Sequence, residues 1–187
     1  NRTKTDVRIA ETDQELVFAS GDTSVRITKH PAPFSMRFYY KDTLLTESAD
    51  KALGYAVYEG KTPYMKEELS LAVGEYVYGL GERFTPFVKN GQTVEISNRD
   101  GGTSSEQAYK NIPFYLTNRG YGVFTMQPED FSYEVASEKV SRVQFSVEGE
   151  SLSYCVIGGG SMKRTLELYT DLTGKPALPP AWSFGLW

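Results

Sequence analysis

The chain has few of the residues that build disulfides, metal sites or imidazole chemistry. Among its 187 residues there is one cysteine, Cys155, and one histidine, His30. A lone cysteine cannot form an internal disulfide, and a zinc site would lack most of its usual ligands. A single histidine excludes any mechanism that needs two imidazoles from this chain. We therefore expect no metal and no cofactor, and the cysteine usage favours a cytoplasmic location.

Long apolar runs and basic runs are also missing. No stretch approaches the ~20 apolar residues of a membrane-spanning helix, and the N-terminus lacks the basic-then-apolar pattern of a secretory signal. The net charge of -4 arises from interspersed charges of both signs. No Lys/Arg run could follow a phosphate backbone or an anionic membrane. We therefore expect a soluble domain with neither nucleic acid nor membrane among its partners.

Aromatic residues, by contrast, are frequent, with 13 tyrosines and 10 phenylalanines. Residues 34–40 alternate large apolar and polar side chains, which is the period of a strand with one buried face. Residues 118–120, Asn-Arg-Gly, predict a tight hairpin turn. Further short strands are predicted at 16–19, 25–27, 64–71, 76–78, 93–96, 114–117, 121–126, 131–135, 143–147 and 152–157. This density of strands predicts an all-β fold, a two-sheet antiparallel β-sandwich.

One helix is predicted near the C-terminal end. Leu166, Tyr169 and Leu172 are at helical spacing, Ser161 is a suitable N-cap, and Gly174 stops the helix. We expect the apolar stripe of this helix to lie on the sandwich.

A domain boundary is predicted directly after the helix. Residues 175–182 contain three prolines and form a stiff connector. Residues 183–187 then begin an apolar strand without partners in the remaining sequence. We therefore divide the chain into a sandwich domain, 1–174, and a segment, 175–187, that links it to a further domain and begins that domain's first strand.

Four segments carry a family resemblance. They are 78–84 (YGLGERF), 98–103 (NRDGGT), 108–115 (AYKNIPFY) and 179–187 (PPAWSFGLW). Together they resemble glycoside hydrolase family 31. The sequences of these motifs are most similar to those of its bacterial α-xylosidases. The likeness covers residues 76–187, whereas the first 75 residues match only in their strand-rich character.

The resemblance implies a galactose mutarotase-like sandwich that leads into a catalytic (β/α)8 barrel, with residues 182–187 as the barrel's first strand. Retaining glycosidases need two carboxyl groups ~5 Å apart. In the family both are aspartates on barrel strands, and no residue here matches them. The expected function is thus the N-terminal domain of a retaining α-glycosidase, an α-xylosidase that releases terminal α-linked xylose, with no catalytic residue in this chain. The chain alone should be inactive.

The resemblance also implies a substrate-binding loop. In the family the Asn-Arg-Asp segment places an aspartate against a substrate hydroxyl, and here that residue is Asp100, with Arg99 beside it. A carboxylate can accept two sugar hydroxyls through charge-assisted hydrogen bonds. Asn, Asp and Gly together also form ordinary surface turns, so a turn without function is the alternative.

Two other features have competing interpretations. The Gly-Leu-Gly-Glu segment lacks the third glycine and the βαβ frame of a nucleotide site, so we interpret it as structural. Glu82 and Arg83 either bond the sandwich to the barrel or form a local ion pair. Trp182 and Trp187 are interpreted as interior packing of the barrel in preference to sugar stacking.

Several functions remain open at this stage. A non-catalytic carbohydrate-binding or scaffolding module is one alternative, and an α-glucosidase of the same family is another. A mutarotase is disfavoured because that family uses more than one histidine. The expected partners are an α-xyloside or other α-linked oligosaccharide and the protein's own barrel. Because Phe184, Leu186 and Trp187 would be exposed without the barrel, a homo-oligomer is an alternative to a monomer.

Overall fold

The predicted alternation of apolar and polar residues produces strands along most of the chain. The computed structural model describes residues 6–98 and 108–185. Within these residues the strands are β1 (Arg8–Glu11), β2 (Glu15–Ser20), β3 (Thr23–Thr28), β4 (Met36–Tyr40), β5 (Thr43–Ser48), β6 (Gly54–Tyr58), β7 (Thr62–Ser70), β8 (Val77–Gly79), β9 (Gln92–Ile96), β10 (Phe114–Thr117), β11 (Tyr121–Thr125), β12 (Phe131–Val135), β13 (Arg142–Glu148) and β14 (Tyr154–Gly158). The helices are α1 (Met162–Thr173) and a short 3-10 turn, Ala181–Ser183.

The strands form two antiparallel sheets. The larger sheet has the order β1-β2-β3-β4-β5-β7-β13-β12-β9, with β6 attached to β7. The smaller sheet has the order β14-β11-β10-β8. This arrangement confirms the predicted all-β sandwich. No described helix is long and apolar enough to cross a membrane.

The core lies between the two sheets. Alternate residues of β13 (Val143, Phe145 and Val147) are fully buried, as the strand period requires. The ring of Tyr133 on β12 packs 5.7 Å from that of Phe145. Each such side chain contributes about 1.5–3 kcal/mol relative to an exposed one. The central strands β12 and β13 of the larger sheet therefore contribute much of the buried core.

The predicted hairpin and helix both form and contact each other. Gly120, at φ +77°, closes the turn between β10 and β11. A Cβ at this position would lie 2.5 Å from the backbone nitrogen of Ser161, so only glycine allows this approach. The hydroxyl of Ser161 accepts a hydrogen bond from the amide of Arg164 as the N-cap of α1. The hydroxyl of Thr165 donates to the carbonyl oxygen of Gly120 at 2.8 Å.

The apolar stripe of α1 packs differently from the prediction. Tyr169 stacks on Phe114 of the smaller sheet, with ring centroids 3.9 Å apart, and Thr165 is fully buried. Leu166 and Leu172 remain about half exposed. The reason is that Thr165 and Tyr169, one turn apart, define the contact line, and the two leucines flank it.

The segment after α1 contains only a short 3-10 turn in its described part. Residues 182–185 form no strand, Ala181–Ser183 make the 3-10 turn, and Trp182 is 85% exposed. A strand needs a neighbouring strand to satisfy its backbone groups, and no described residue offers one here. The packing of Trp182 inside the barrel therefore stays a prediction, and Trp187 lies outside the described residues.

Candidate functional site

The predicted sugar-binding residues Arg99 and Asp100 lie outside the described residues, but both ends of their segment are described. β9, at the edge of the larger sheet, leads to Ser97 and Asn98. Asn98 forms a parallel bridge with Ala108. The points at which segment 99–107 leaves and rejoins the sandwich are therefore held side by side.

The side-chain amide of Asn111 connects these two ends. Its Nδ2 donates to the carbonyl oxygen of Ser97 at 2.8 Å, to Oδ1 of Asn98 at 3.1 Å and to the carbonyl oxygen of Ala108 at 2.6 Å. An amide NH2 has two hydrogens, so the three acceptors share them. One side chain thus fixes the separation of the residues before and after segment 99–107.

Arg83 holds Asn111 in place. Its guanidinium donates to Oδ1 of Asn111, to the carbonyl oxygen of Glu95 at 2.7 Å and, through Nε, to the carbonyl oxygen of Leu80 at 3.1 Å. Arg83 therefore joins the Tyr-Gly-Leu-Gly-Glu-Arg segment to the end of β9 and to Asn111. We call Arg83, Asn111, Ser97, Asn98 and Ala108 the loop stem.

The glycines of the same segment make this crossing possible. Gly81 has φ +91°, and a Cβ there would lie 2.1 Å from the carbonyl oxygen of Lys110. The backbone amide of Glu82 donates to that same oxygen at 3.0 Å. The two chain segments approach so closely that no side chain fits between them. The structural interpretation of Gly-Leu-Gly-Glu is therefore correct.

Glu82 forms the local ion pair that was one of its two predicted roles. Its Oε2 lies 2.7 Å from Nζ of Lys110, and both side chains are exposed. The hydrogen bond and charge of Glu82 raise the pKa of Lys110. Because the pair is screened by water, it adds little to the hold on the loop stem.

Exposed apolar side chains lie close in sequence to Arg83 and Asn111 of the loop stem. Phe84 follows Arg83, Tyr109 lies two residues before Asn111, Ile112 follows Asn111, and all three apolar side chains are exposed. Phe87 is also exposed and packs against Tyr78 with a ring distance of 5.3 Å. Exposed apolar side chains concentrated in one region are typical of a surface that another domain covers. We call Phe84, Phe87, Tyr109 and Ile112 the stem surface.

Glu67 and Glu68 are two of the three buried carboxylates among the described residues, and their contacts are structural. Glu67 faces the core, where it accepts hydrogen bonds from the hydroxyl of Tyr154 at 2.8 Å and the amide of Glu68 at 2.9 Å. Burial raises the pKa of Glu67. Glu68 projects from the opposite face of β7, as alternation along a strand requires. The two carboxylates therefore cannot act together on one substrate as a glycosidase pair does.

Basic residues surround Glu68 on the outer face. Nζ of Lys66 lies 2.6 Å, and a guanidinium nitrogen of Arg142 2.7 Å, from its carboxylate oxygens. Burial acts to raise the pKa of Glu68, but Lys66, Arg142 and Lys139 outweigh it and lower the pKa overall. Within 6–98 and 108–185, no group of His, Cys, Asp and Glu side chains is placed to hold a metal ion.

The remaining singled-out residues have structural positions. His30 is an exposed loop residue. Cys155 is only partly buried, and burial raises the pKa of its thiol. Sequence reasoning missed Asn111, although its position in Ala-Tyr-Lys-Asn-Ile-Pro-Phe-Tyr, a polar residue before an apolar strand, was an available signal.

Comparison with known proteins identifies a family model and two proteins that are similar to this chain. The model of the glycosyl hydrolase 31 N-terminal galactose mutarotase-like domain matches residues 1–134. The chain is similar to α-xylosidase XylQ of Lactiplantibacillus pentosus, with 50% identity over 100% of this chain and 24% of that protein. An α-xylosidase of Emericella nidulans is 49% identical over 100% of this chain and 24% of that protein.

A solved structure repeats the fold. The family 31 dextranase of Flavobacterium johnsoniae superposes with a TM-score of 0.82 at 26% identity, over 96% of this chain and 22% of that one. The chain spans about a quarter of the length of the curated relatives given above. The family model covers well over half of the chain, and the fold agrees with it. The chain therefore belongs to the glycosyl hydrolase 31 N-terminal galactose mutarotase-like domain family.

Proposed function

We propose that this chain is the N-terminal domain of a retaining α-xylosidase that releases terminal α-linked xylose. The observation that carries the proposal is the identity of about one half, along the whole chain, with α-xylosidases from a bacterium and a fungus. The substrate would be an α-xyloside or another α-linked oligosaccharide with terminal xylose.

In this proposal the domain contributes binding and the barrel contributes chemistry. A retaining mechanism needs a nucleophile and an acid/base ~5 Å apart. Among the buried carboxylates, Glu67 and Glu68 face opposite sides of β7, and Glu75 accepts a hydrogen bond from the backbone amide of Ala72. Both catalytic groups would therefore belong to the barrel. Asp100 would accept hydrogen bonds from sugar hydroxyls, with Arg99 beside it. The loop stem supports this role because it anchors both ends of the segment that carries these two residues.

The proposal includes the domain division. Residues 1–174 form the sandwich, and residues 175–187 connect it to the barrel and supply the barrel's first strand. The stem surface and the exposed Trp182 and Phe184 are the apolar groups that the barrel would cover. Residues 182–187 would complete a strand once a neighbouring barrel strand satisfies their backbone groups. A cytoplasmic location is also part of the proposal, since the lone Cys155 needs no oxidising compartment.

Kinetics of the full-length enzyme test this proposal. Aryl α-xyloside and aryl α-glucoside would be compared for wild type, Asp100→Asn and the control Glu82→Gln, whose side chain lies in the exposed ion pair. Loss of a charge-assisted hydrogen bond should reduce kcat/KM of Asp100→Asn by about 10- to 100-fold. The control should match wild type, and NMR should show xylose released with its anomeric configuration retained.

Three outcomes would contradict the proposal. Faster turnover of the α-glucoside would assign the enzyme to α-glucosidases. An unchanged Asp100→Asn variant would remove Asp100 from the substrate site. Xyloside hydrolysis by the isolated 187-residue chain would contradict the assignment of both catalytic groups to the barrel.

A further inference from the structure

Residues 90 and 91 form the only Asn-Gly pair of the sequence. In such a pair the backbone nitrogen of the glycine can attack the side-chain carbonyl carbon of the asparagine, because glycine has no Cβ to hinder the approach. Asparagine is accordingly among the chemically labile residues of proteins. Every other asparagine of the sequence is followed by arginine or isoleucine. Asn90 is therefore the asparagine of this chain that is most prone to deamidation.

The side-chain amide of Asn90 is held by the segment that leads into β8. Its Oδ1 accepts a hydrogen bond from the backbone amide of Val77 at 2.8 Å, and its Nδ2 donates to the carbonyl oxygen of Glu75 at 3.0 Å. The side chain thus bonds to the main chain at both ends of its amide group. While both bonds are made, the amide group cannot rotate and its nitrogen cannot leave.

The backbone nitrogen of Gly91 is held from another direction. It donates to the carbonyl oxygen of Val135, in β12, at 2.7 Å. The turn itself is closed by a hydrogen bond from the amide of Gln92 to the carbonyl oxygen of Lys89 at 3.0 Å. Between these two residues only Gly91 has a positive φ, +85°, as a type II turn requires. The bond to Val135 retains the proton that the nitrogen of Gly91 must lose before it can attack.

The two reacting groups are therefore bonded to different sheets. Val77 begins β8 of the smaller sheet, whereas Val135 ends β12 of the larger sheet. Deamidation requires that turn 89–92 lose its bonds to both sheets. Local openings of this kind occur in folded proteins, and each hydrogen bond that must break makes the open state less populated.

We propose that Asn90 and Gly91 form a covalent modification site, where deamidation occurs only after turn 89–92 separates from β8 and β12. The backbone nitrogen of Gly91 then loses its proton and bonds to Cγ of Asn90. The bond from Cγ to Nδ2 breaks, and Nδ2 leaves as ammonia with that proton. A water molecule opens the resulting cyclic imide and gives aspartate or isoaspartate at position 90.

The products cannot restore the original contact. A carboxylate at position 90 has no hydrogen for the carbonyl oxygen of Glu75, so that buried acceptor loses its partner. In isoaspartate the main chain also passes through one additional methylene group, which displaces the amide of Gly91 from Val135. The modification therefore makes the opening of turn 89–92 irreversible.

Peptide mapping of the full-length protein by mass spectrometry tests this inference, after incubation at mildly alkaline pH with and without denaturing urea. The matched control is Glu59→Asn, which creates a second Asn-Gly pair at the exposed turn between β6 and β7. Gly60 also has a positive φ, +69°, and its backbone nitrogen donates to no backbone oxygen among the described residues. The same dipeptide is thus compared with and without the bonds that hold Asn90 and Gly91.

In urea the two pairs should deamidate at the same rate. In the folded protein the pair at Glu59→Asn should react at nearly that rate, whereas Asn90 should react about 100-fold more slowly, because three hydrogen bonds must break first. Deamidation of Asn90 as fast as that of the control pair in the folded protein overturns the inference. Equal protection of both pairs also overturns it, since the bonds to Val77, Glu75 and Val135 would then not be the cause.

Discussion

The guanidinium of Arg83 donates a hydrogen bond to the side-chain oxygen of Asn111, 28 residues later in the chain. This bond leaves the amide nitrogen of Asn111 facing the oxygens of Ser97, Asn98 and Ala108. An arginine that is itself fixed by two backbone carbonyls thus orients an asparagine that holds both ends of one segment. The pair explains why the motif 78–84 and the motif 108–115 occur together in this sequence.

Asn111→Asp should weaken the loop stem. The second carboxylate oxygen would replace Nδ2 and face three acceptor oxygens without a hydrogen to share, at a cost of about 1–3 kcal/mol. Under the proposed function, the full-length variant should also lose affinity for α-xyloside. Chemical denaturation measures the first effect and KM the second.

Asn118→Asp is the matched control for this change. Asn118 makes the same type of bonds elsewhere, accepting from the amide of Tyr76 at 2.9 Å and donating to the carbonyl oxygen of Gly74 at 3.1 Å. The Asn118→Asp variant should lose stability, and its KM should be unchanged. Equal increases in KM for both variants would show that the Asn111 effect is general destabilisation.

Gly81→Ala should be much more destabilising than Gly91→Ala. Both glycines have positive φ, +91° and +85°, so both variants incur the left-handed backbone cost of about 1–2 kcal/mol. Only at Gly81 would the new Cβ collide with backbone, whereas nothing lies within 4 Å of it at Gly91. We expect a further ~1–3 kcal/mol for Gly81→Ala in urea denaturation. Equal losses for the two variants would contradict the close crossing at Lys110.

Glu67→Gln should change the pH dependence of stability. Burial raises the pKa of Glu67 above its ordinary value of 4.5, so the folded state keeps its proton after the unfolded state has lost it. The free energy of unfolding contributed by this group is fully present below pH 4.5 and is lost as pH rises through the raised pKa. The stability of wild type relative to Glu67→Gln should therefore fall with rising pH above 4.5, as measured by thermal melts.

Glu68→Gln should show the opposite sign. Burial acts to raise the pKa of Glu68, but its three basic neighbours lower it overall. The stabilisation is present above the ordinary pKa of 4.5 and is lost as pH falls through the lowered one. The advantage of wild type over Glu68→Gln should thus be largest near neutral pH. The same slope for both glutamine variants would contradict their placement on opposite faces of β7.

Tyr169→Ala should detach α1 from the smaller sheet. Its ring is stacked on Phe114 and makes an edge contact with Phe124 at 5.4 Å. Removing it should cost about 3–5 kcal/mol. Leu166→Ala, on the same helix but half exposed, should cost less than about 1.5 kcal/mol. Similar losses in denaturation for the two variants would contradict the observed contact line.

Local patterns predicted most of the fold. Strand alternation gave most of the strands of both sheets, and the serine and glycine at the ends of α1 marked its limits within a residue. Strand β6 was not predicted, because its exposed apolar residues on both faces lack the alternation of a half-buried strand. The residues of α1 that contact the smaller sheet, Thr165 and Tyr169, also differ from the predicted stripe. Helical spacing alone does not specify which apolar residues of a stripe contact a neighbouring element.

The sequence alone determined the sandwich class, the helix with its caps, and the family, because periodicity, capping and short motifs are properties of adjacent residues. Only the tertiary structure decided that Arg83 and Asn111 hold the ends of segment 99–107, that Glu67 and Glu68 face opposite environments, and that β6 has an unpaired edge. These facts depend on which distant segments lie side by side. A glycine such as Gly81 permits that approach, but the folded sheets select the partner.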